Sequence, residues 1–131
     1  MRKISFILLS NLLFMVIMTS CAADSMVGKY TLYKAKVNGT IIDKDHSEWN
    51  NYKDFYVELF FDRKVTVEAP YGLADGTYSM TGVVLNIFDK NGNEFGSWLA
   101  VPIEFSFKIS GGVIIMEQKW GGDVSVFEFR R

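Results

Sequence analysis

The chain has one histidine, His46, which lies in a polar segment close to Asp43, Asp45 and Glu48. Imidazole and carboxylate groups can bind a metal ion, and a histidine can act as a general base. One histidine with flexible carboxylates lacks the ligand spacing of a zinc site, and no motif places a serine or cysteine nucleophile. We therefore interpret these residues as the solvated start of a helix, and we expect no enzymatic activity, metal or cofactor.

A second polar segment, DKNGNE at 89–94, has the acidic character of a calcium loop. It is too short for the twelve-residue arrangement of an EF-hand. Asn91-Gly92 stands between two segments of alternating polarity, and that pair is the strongest short-range signal for a β-hairpin. The segment is therefore predicted to be a tight turn between two strands.

The first 20 residues have the pattern of a secretory signal peptide. Arg2 and Lys3 are followed by residues 4–18, which are apolar except for Ser5, Ser10 and Asn11. A transmembrane helix needs about 20 consecutive apolar residues. This segment is shorter and is interrupted, so we expect residues 1–20 to be cleaved from the mature protein.

The only cysteine, Cys21, comes directly after this segment, and residues 18–21 (MTSC) resemble the lipobox of bacterial lipoproteins. The resemblance implies that Cys21 becomes the first mature residue, acylated on its sulfur and amino group, and that residues 21–27 tether the fold to a membrane. In that family, Ala22 in place of aspartate implies the outer membrane of the cell envelope. The alternative is a free or disulfide-bonded thiol, but one cysteine cannot form an internal disulfide, and a bare thiol is a liability in an oxidising compartment.

The charge balance argues against a nucleic-acid partner. The chain carries 14 Lys and Arg residues against 15 Asp and Glu, and Arg2 and Lys3 belong to the leader. It also has no basic stripe interleaved with aromatic residues, which nucleic-acid binders use. The rest of the chain is the size of one domain, which we place at residues 28–131.

Beyond residue 27, apolar and polar residues alternate with the period of strands that bury one face. The connections carry turn residues and are short, which favours antiparallel neighbours. Closing such a meander removes the exposed edges of an open sheet. We predict an all-β fold, an antiparallel up-and-down barrel of about eight or nine strands, with candidate strands at 28–37, 55–62, 64–69, 76–80, 83–89, 94–101, 103–109, 113–120 and 123–130.

Two local departures from this alternation are also predicted. The polar segment 38–55 contains Asp45 and Glu48 in capping-box spacing, which predicts one short crossover helix at about 46–53, laid across a barrel end by Trp49 and Tyr52. In the last strand the apolar phase slips between Val124/Val126 and Phe127/Phe129, which predicts a β-bulge near Val126.

The order of an opening GKYTL at 28–32, a crossover and a series of hairpins resembles the small lipocalin-like domains of bacterial lipoproteins. Lipocalins open on Gly-x-Trp, and a basic residue near the end of the last strand packs over that ring. The resemblance implies that Gly28 and Tyr30 hold those positions, with Arg130 as the basic partner. The rival folds are a two-sheet sandwich and the barrels of periplasmic lysozyme inhibitors, which usually carry cysteine bridges.

The functional hypotheses depend on the aromatic residues. The chain has more aromatic rings than surface positions normally hold, so many of them must point inward. A barrel of about eight strands is either filled by side chains or has room for one small ligand. If a pocket exists, we predict that Tyr30, Trp98, Phe105 and Trp120 line it.

The first hypothesis is a lipid-anchored, non-enzymatic binding or accessory module that holds a small apolar ligand or an envelope protein. The second is an interaction protein or hydrolase inhibitor with a filled core, working through exposed loops such as APYGLADG at 69–76. An enzyme is the third and weakest, since no acid/base pair or nucleophile can be placed.

Overall fold

The computed structural model describes residues 26–69, 72–97, 99 and 101–131. The cleavage and acylation predicted around Cys21 lie outside these residues. Within them the chain forms nine strands, in this order: β1 (Gly28–Val37), β2 (Thr40–Ile42), β3 (Tyr56–Leu59), β4 (Lys64–Ala69), β5 (Gly72–Thr81), β6 (Val84–Asp89), β7 (Ile103–Ser110), β8 (Val113–Trp120) and β9 (Asp123–Arg130).

Eight of these strands form a closed antiparallel up-and-down barrel, which confirms the predicted fold class. From β3 onward each strand pairs with its successor, and β9 pairs with β1 to close the sheet. Strand β1 is long enough to share one edge between two partners: its first half pairs with β3 and its second half with β2. The ninth strand, β2, therefore extends the wall at one end rather than completing it.

The barrel interior is packed with alternate side chains of the wall. Fully buried side chains come from several sides of the wall, among them Tyr30 of β1, Val57 of β3 and Phe129 of β9, each at most 1% exposed. In the described part of the chain, every residue that is almost fully buried is apolar or aromatic. At roughly 25 cal/mol per Å² of apolar surface removed from water, this core is the main stabilising contribution.

The structure corrects the prediction for the polar segment 38–55. Asn38 and Gly39 have φ angles of 51° and 80°, and they form the tight turn that produces the hairpin of β1 and β2. The predicted helix at 46–53 is instead a single 3-10 turn, Trp49–Asn51. The predicted capping box of Asp45 and Glu48 does not form, because the Asp45 amide donates to Oδ1 of Asp43 and the Glu48 amide donates to Nδ1 of His46, each at 3.0 Å.

Two strand predictions are also corrected. Of residues 94–101, the structure describes 94–97, 99 and 101, and none of these belongs to a strand; the ladder contact that they make with the sheet is the bridge between Phe88 and Glu94. Conversely, residues 72–76, expected in a loop, form the first half of β5 and pair with β4. Gly72 and Gly76 suggested a turn, but here the pairing with β4 overrides the local glycine preference.

The predicted bulge near Val126 belongs to the neighbouring strand. The register of β8 and β9 is unbroken from Val113 to Trp120. The register of β1 and β9 shifts between Leu32 and Lys34, so the extra residue is Tyr33. Val126 lies on the outer face of β9 and Phe127 on the inner face, which explains the apolar residues on both faces without a bulge.

Candidate functional site

The barrel wall is open between β6 and β7. These strands pair at only two positions, Val84 with Lys108 and Leu85 with Phe107. Continuing that register would place Phe105 opposite Ile87. Instead the amide of Phe95 donates to the Ile87 carbonyl oxygen at 2.9 Å, so the connecting segment takes the place of β7 along β6.

The turn that starts this connection is held by one carboxylate. Oδ1 of Asp89 accepts hydrogen bonds from the amides of Asn91 and Asn93, at 2.8 and 2.9 Å. The Asp89 amide in turn donates to the Asn93 carbonyl oxygen at 2.8 Å. The segment DKNGNE is therefore a tight turn, as predicted, and it directs the chain back across the gap in the wall.

Phe95 closes the inner side of this gap. Its ring meets those of Phe105 and Phe107 edge to face, with centroid distances of 5.0 and 5.4 Å, a favourable arrangement for aromatic pairs. The next residue must be glycine, since Gly96 has a φ of +88° and a Cβ atom there would lie 2.4 Å from the Phe105 ring. Phe95 and Gly96 thus position Phe105.

The gap forms a cleft of about 450 Å³, a volume within the range of small-molecule sites. Its inner side is apolar, and its outer rim carries hydroxyl, amide and carboxylate groups. The inner residues are Leu85, Ile87, Phe95, Phe105 and Phe107, and the rim includes Asn86, Glu94, Glu104 and Ser106. This arrangement suits a molecule with an apolar body and a polar head that donates hydrogen bonds to carboxylates.

Three of the four predicted ligand-binding residues are described by the structure, and they lie apart from one another. Phe105 lines the cleft. Tyr30 is in the closed core, 1% exposed, and its hydroxyl donates to the Met26 carbonyl oxygen at 2.8 Å. Trp120 is 53% exposed at the end of β8, where it pairs with Asp123, and Trp98 lies outside the described residues.

Sequence reasoning missed Phe95 and Phe107 as lining residues and Gly96 as the residue that admits the Phe105 ring. The sequence did contain evidence against the predicted strand at 94–101, since Gly96 and Pro102 both disfavour a regular strand there. The apolar residues of the same segment favour a strand, and the prediction gave them more weight.

At the barrel end where the cleft lies, the interior on the side of β1 and β9 is filled. Trp49 and Tyr52 pack against the core, as expected of the crossover. The Tyr52 ring lies 5.6 Å from that of Phe55, and the Phe55 ring lies 6.3 Å from that of Phe127. These rings occupy the space beside β1 and β9, so the cleft is confined to the β6–β7 side.

The residue that packs over the Tyr30 ring is Arg131, which corrects the prediction of Arg130. The Arg131 guanidinium carbon lies 5.6 Å from the Tyr30 centroid, and its Nη1 donates to the Val27 carbonyl oxygen at 3.2 Å. Arg130 instead lies on the outer face over Tyr33, at 3.6 Å. Successive side chains of a strand point to opposite faces, so these two neighbouring arginines contact rings on opposite sides of the wall.

His46 takes part in the local turn. The Glu48 amide donates to its Nδ1 at 3.0 Å, and its own amide donates to the Asp43 carbonyl oxygen at 2.9 Å. In the ranges that the structure describes, no three His, Cys, Asp or Glu side chains converge to hold a metal ion. Across those same ranges, no helix has the length and apolar content needed to cross a bilayer.

Two buried phenols should make the barrel sensitive to alkali. Burial raises the pKa of Tyr30 and Tyr78 above the ordinary value of 10.0, and Arg131 offsets part of the shift at Tyr30. The unfolded chain therefore loses these protons first, so the contribution of the two phenols to stability is constant below about pH 10 and is lost as pH rises from there through the raised folded-state pKa values. Urea unfolding between pH 8 and 11.5 would measure this loss.

The variant for that measurement is Tyr30→Phe, which removes one of the two phenols and should flatten the alkaline decline. A decline as steep as that of the wild type would contradict the assignment.

Comparison of this chain with protein-family models, with curated proteins and with solved structures finds no match in any of the three. The functional proposal therefore depends on the chain's own residues and their geometry.

Proposed function

We propose that this protein is a non-enzymatic binding module whose β6–β7 cleft holds a small molecule with an apolar body. The observation that carries the proposal is the cleft itself, about 450 Å³ and closed on its inner side by Phe95, Phe105 and Phe107. A wall that closes fully between β6 and β7 would bury the same rings without leaving this space. The departure from regular pairing therefore supports a ligand site.

The rim of the cleft narrows the chemistry of the ligand. Glu94 and Glu104 are exposed carboxylates at the mouth, and Asn86 and Ser106 add neutral polar groups. Carboxylates accept hydrogen bonds and favour positive charge nearby. The best fit is an amphipathic molecule with an amine or hydroxyl head, and an anionic head fits less well.

The proposal includes attachment to a membrane. Cys21 would be acylated, residues 21–27 would act as a tether, and the barrel would stand at the outer membrane of a cell envelope. Support comes from the lipobox-like MTSC at 18–21 behind an apolar leader. Two or three acyl chains, at roughly 0.8 kcal/mol per buried methylene, would hold the protein on a bilayer without a spanning helix.

The proposal also assigns the barrel to the lipocalin-like domains. Its support is the contact of Gly28, Tyr30 and Arg131: an opening Gly-x-aromatic and a basic residue at the end of the last strand that lies over the ring. A Cβ atom at Gly28 would lie 2.8 Å from Cδ of Arg131, so glycine is required for this contact.

A second candidate is an interaction protein with a filled core that binds an envelope protein or inhibits a hydrolase through its exposed loops. The packed rings of Tyr52, Phe55 and Phe127 favour it, as does Leu73, 59% exposed near the start of β5. Neither candidate requires a nucleic acid or a cofactor.

Native mass spectrometry of the protein purified from its own cells tests the ligand proposal. We expect wild type to retain a small molecule. Ser106→Trp places an indole at the mouth of the cleft and should release it, while Ser110→Trp, on the same face of β7 but outside the cleft, should retain it. A wild-type protein without a bound molecule would favour the filled-core candidate. Equal retention by both variants would mean that the molecule binds outside the cleft, and it would contradict the proposal.

A further inference from the structure

One end of the barrel lies where the chain enters β1, and we call it the anchor-proximal end. Gly28 pairs with Leu59 at the end of β3, so the β3–β4 turn, Phe60–Lys64, lies directly beside the point of entry. Cys21 is seven residues before Gly28. At about 3.5 Å per residue, a fully extended tether of this length reaches roughly 25 Å.

This end exposes large apolar side chains. In the β3–β4 turn, Phe61 is 64% exposed and Phe60 is 39% exposed; in the β5–β6 turn, Val83 is 54% exposed. Strands β3 and β5 both run toward the end where β1 begins, so both turns project in the same direction. Apolar residues at the tips of adjacent turns need an explanation beyond the ordinary exposure of single residues.

The charges of the two ends differ. Beside the exposed rings, Arg63, Lys64 and Arg131 are exposed cations, and Asp62 is the acidic residue of the turn. The opposite end carries many carboxylates, among them Asp43, Asp45, Glu48, Asp89 and Asp123. Cations flanking an apolar tip complement the phosphates of a lipid headgroup layer.

We propose that the anchor-proximal end docks on the bilayer, with Phe60, Phe61 and Val83 inserted at the boundary between headgroups and acyl chains. This inference depends on the proposed acylation of Cys21. The short tether brings this end of the barrel to the membrane, and the exposed rings and cations then hold it in one orientation. The acidic end, with the 43–55 segment and the β8–β9 turn, faces away from the lipid.

Single-cysteine labelling tests this orientation. The natural sequence has one cysteine, and acylation would block its sulfur, so an introduced cysteine would be the one reactive thiol. The test variants are Phe61→Cys and Val83→Cys. The matched controls are Ile41→Cys and Leu73→Cys, which are 59% exposed at the opposite end.

Each mature variant is placed in vesicles of phosphatidylethanolamine and phosphatidylglycerol and treated with a membrane-impermeant maleimide. The rate at which the introduced cysteine is modified is expressed relative to the rate for the same variant in urea. We expect the reagent to modify residues 61 and 83 roughly tenfold more slowly than residues 41 and 73, because the lipid interface covers them. A measurement of the intact mass shows, independently of the labelling, whether the protein is acylated.

The outcomes separate the two claims. Acylated protein with equal rates at all four positions would overturn the docking and leave the anchor standing. Protein without acyl chains would overturn both. Protection of residues 61 and 83 in whole cells that disappears in pure-lipid vesicles would assign this end to a protein partner and would also overturn the proposal.

Discussion

A Gly76→Ala variant is expected to lose about 3 kcal/mol or more of its free energy of unfolding, because the wall leaves no room for a Cβ atom. Gly76 pairs with Val65 in β4 and with Asp89 in β6. A Cβ atom there would lie 1.8 Å from the Phe88 carbonyl oxygen and 2.9 Å from its carbonyl carbon. Both are backbone atoms of a paired strand, so relief requires β5 and β6 to separate. Urea unfolding followed by tryptophan fluorescence would measure the loss.

The matched control is Gly122→Ala in the β8–β9 turn, where no atom lies within 4 Å of the added Cβ. We expect its stability to stay within about 0.5 kcal/mol of wild type. A Gly76→Ala variant as stable as this control would show that β5 and β6 lie farther apart than described.

A Phe129→Ala variant is expected to be destabilised by about 3–5 kcal/mol, the usual cost of removing a buried phenylalanine ring and leaving a cavity. Phe129 is 0% exposed and is paired with Leu32 on one side and Ile114 on the other. It therefore lies where β9 meets β1 and closes the barrel. Much of a small domain's total stability would be lost, and the unfolding midpoint in urea would report it.

Val124→Ala provides the control on the same strand, since Val124 is 45% exposed on the outer face of β9. Its replacement should change stability by no more than about 0.5 kcal/mol. A small effect at Phe129 as well would mean that the barrel is not closed by a packed β9–β1 junction.

The alternation of apolar residues was sufficient to predict the second half of the barrel. Strands β8 and β9 have the predicted bounds, 113–120 and 123–130, and β7 differs from its prediction by one residue. In these strands every second residue enters one core and the turns are tight, so local sequence and tertiary structure require the same pattern. The closure of the sheet also followed from the need to cover its edges.

The errors arose where tertiary contacts or a short turn decide the structure. Asn38-Gly39 is as good a hairpin signal as Asn91-Gly92, but it stands before only three strand residues, Thr40–Ile42, in a segment that otherwise reads as polar. The 3-10 turn at Trp49–Asn51 has helical spacing over one turn, and a single turn is too short to be told from a helix by periodicity.

The candidate site was only partly predictable for a related reason. Phe105 was expected at a pocket because it belongs to an alternating strand with an inward face. Phe95 enters the site because its amide, rather than an amide of β7, donates to the Ile87 carbonyl oxygen. Which amide pairs with Ile87 depends on how two strands align, and no local segment of the sequence shows it. The position of Arg131 over Tyr30 similarly depends on the register of β9 against β1, in which Thr31 is paired with Arg130.

A crystal structure of the protein purified from its own cells, with whatever it retains, would show directly whether the cleft holds a ligand. We expect density for a small molecule between β6 and β7, with its apolar part in contact with Phe95 and Phe105 and its polar end toward Glu94 or Glu104. A cleft closed by continuous pairing of β6 with β7, or a molecule bound elsewhere on the barrel, would contradict this expectation.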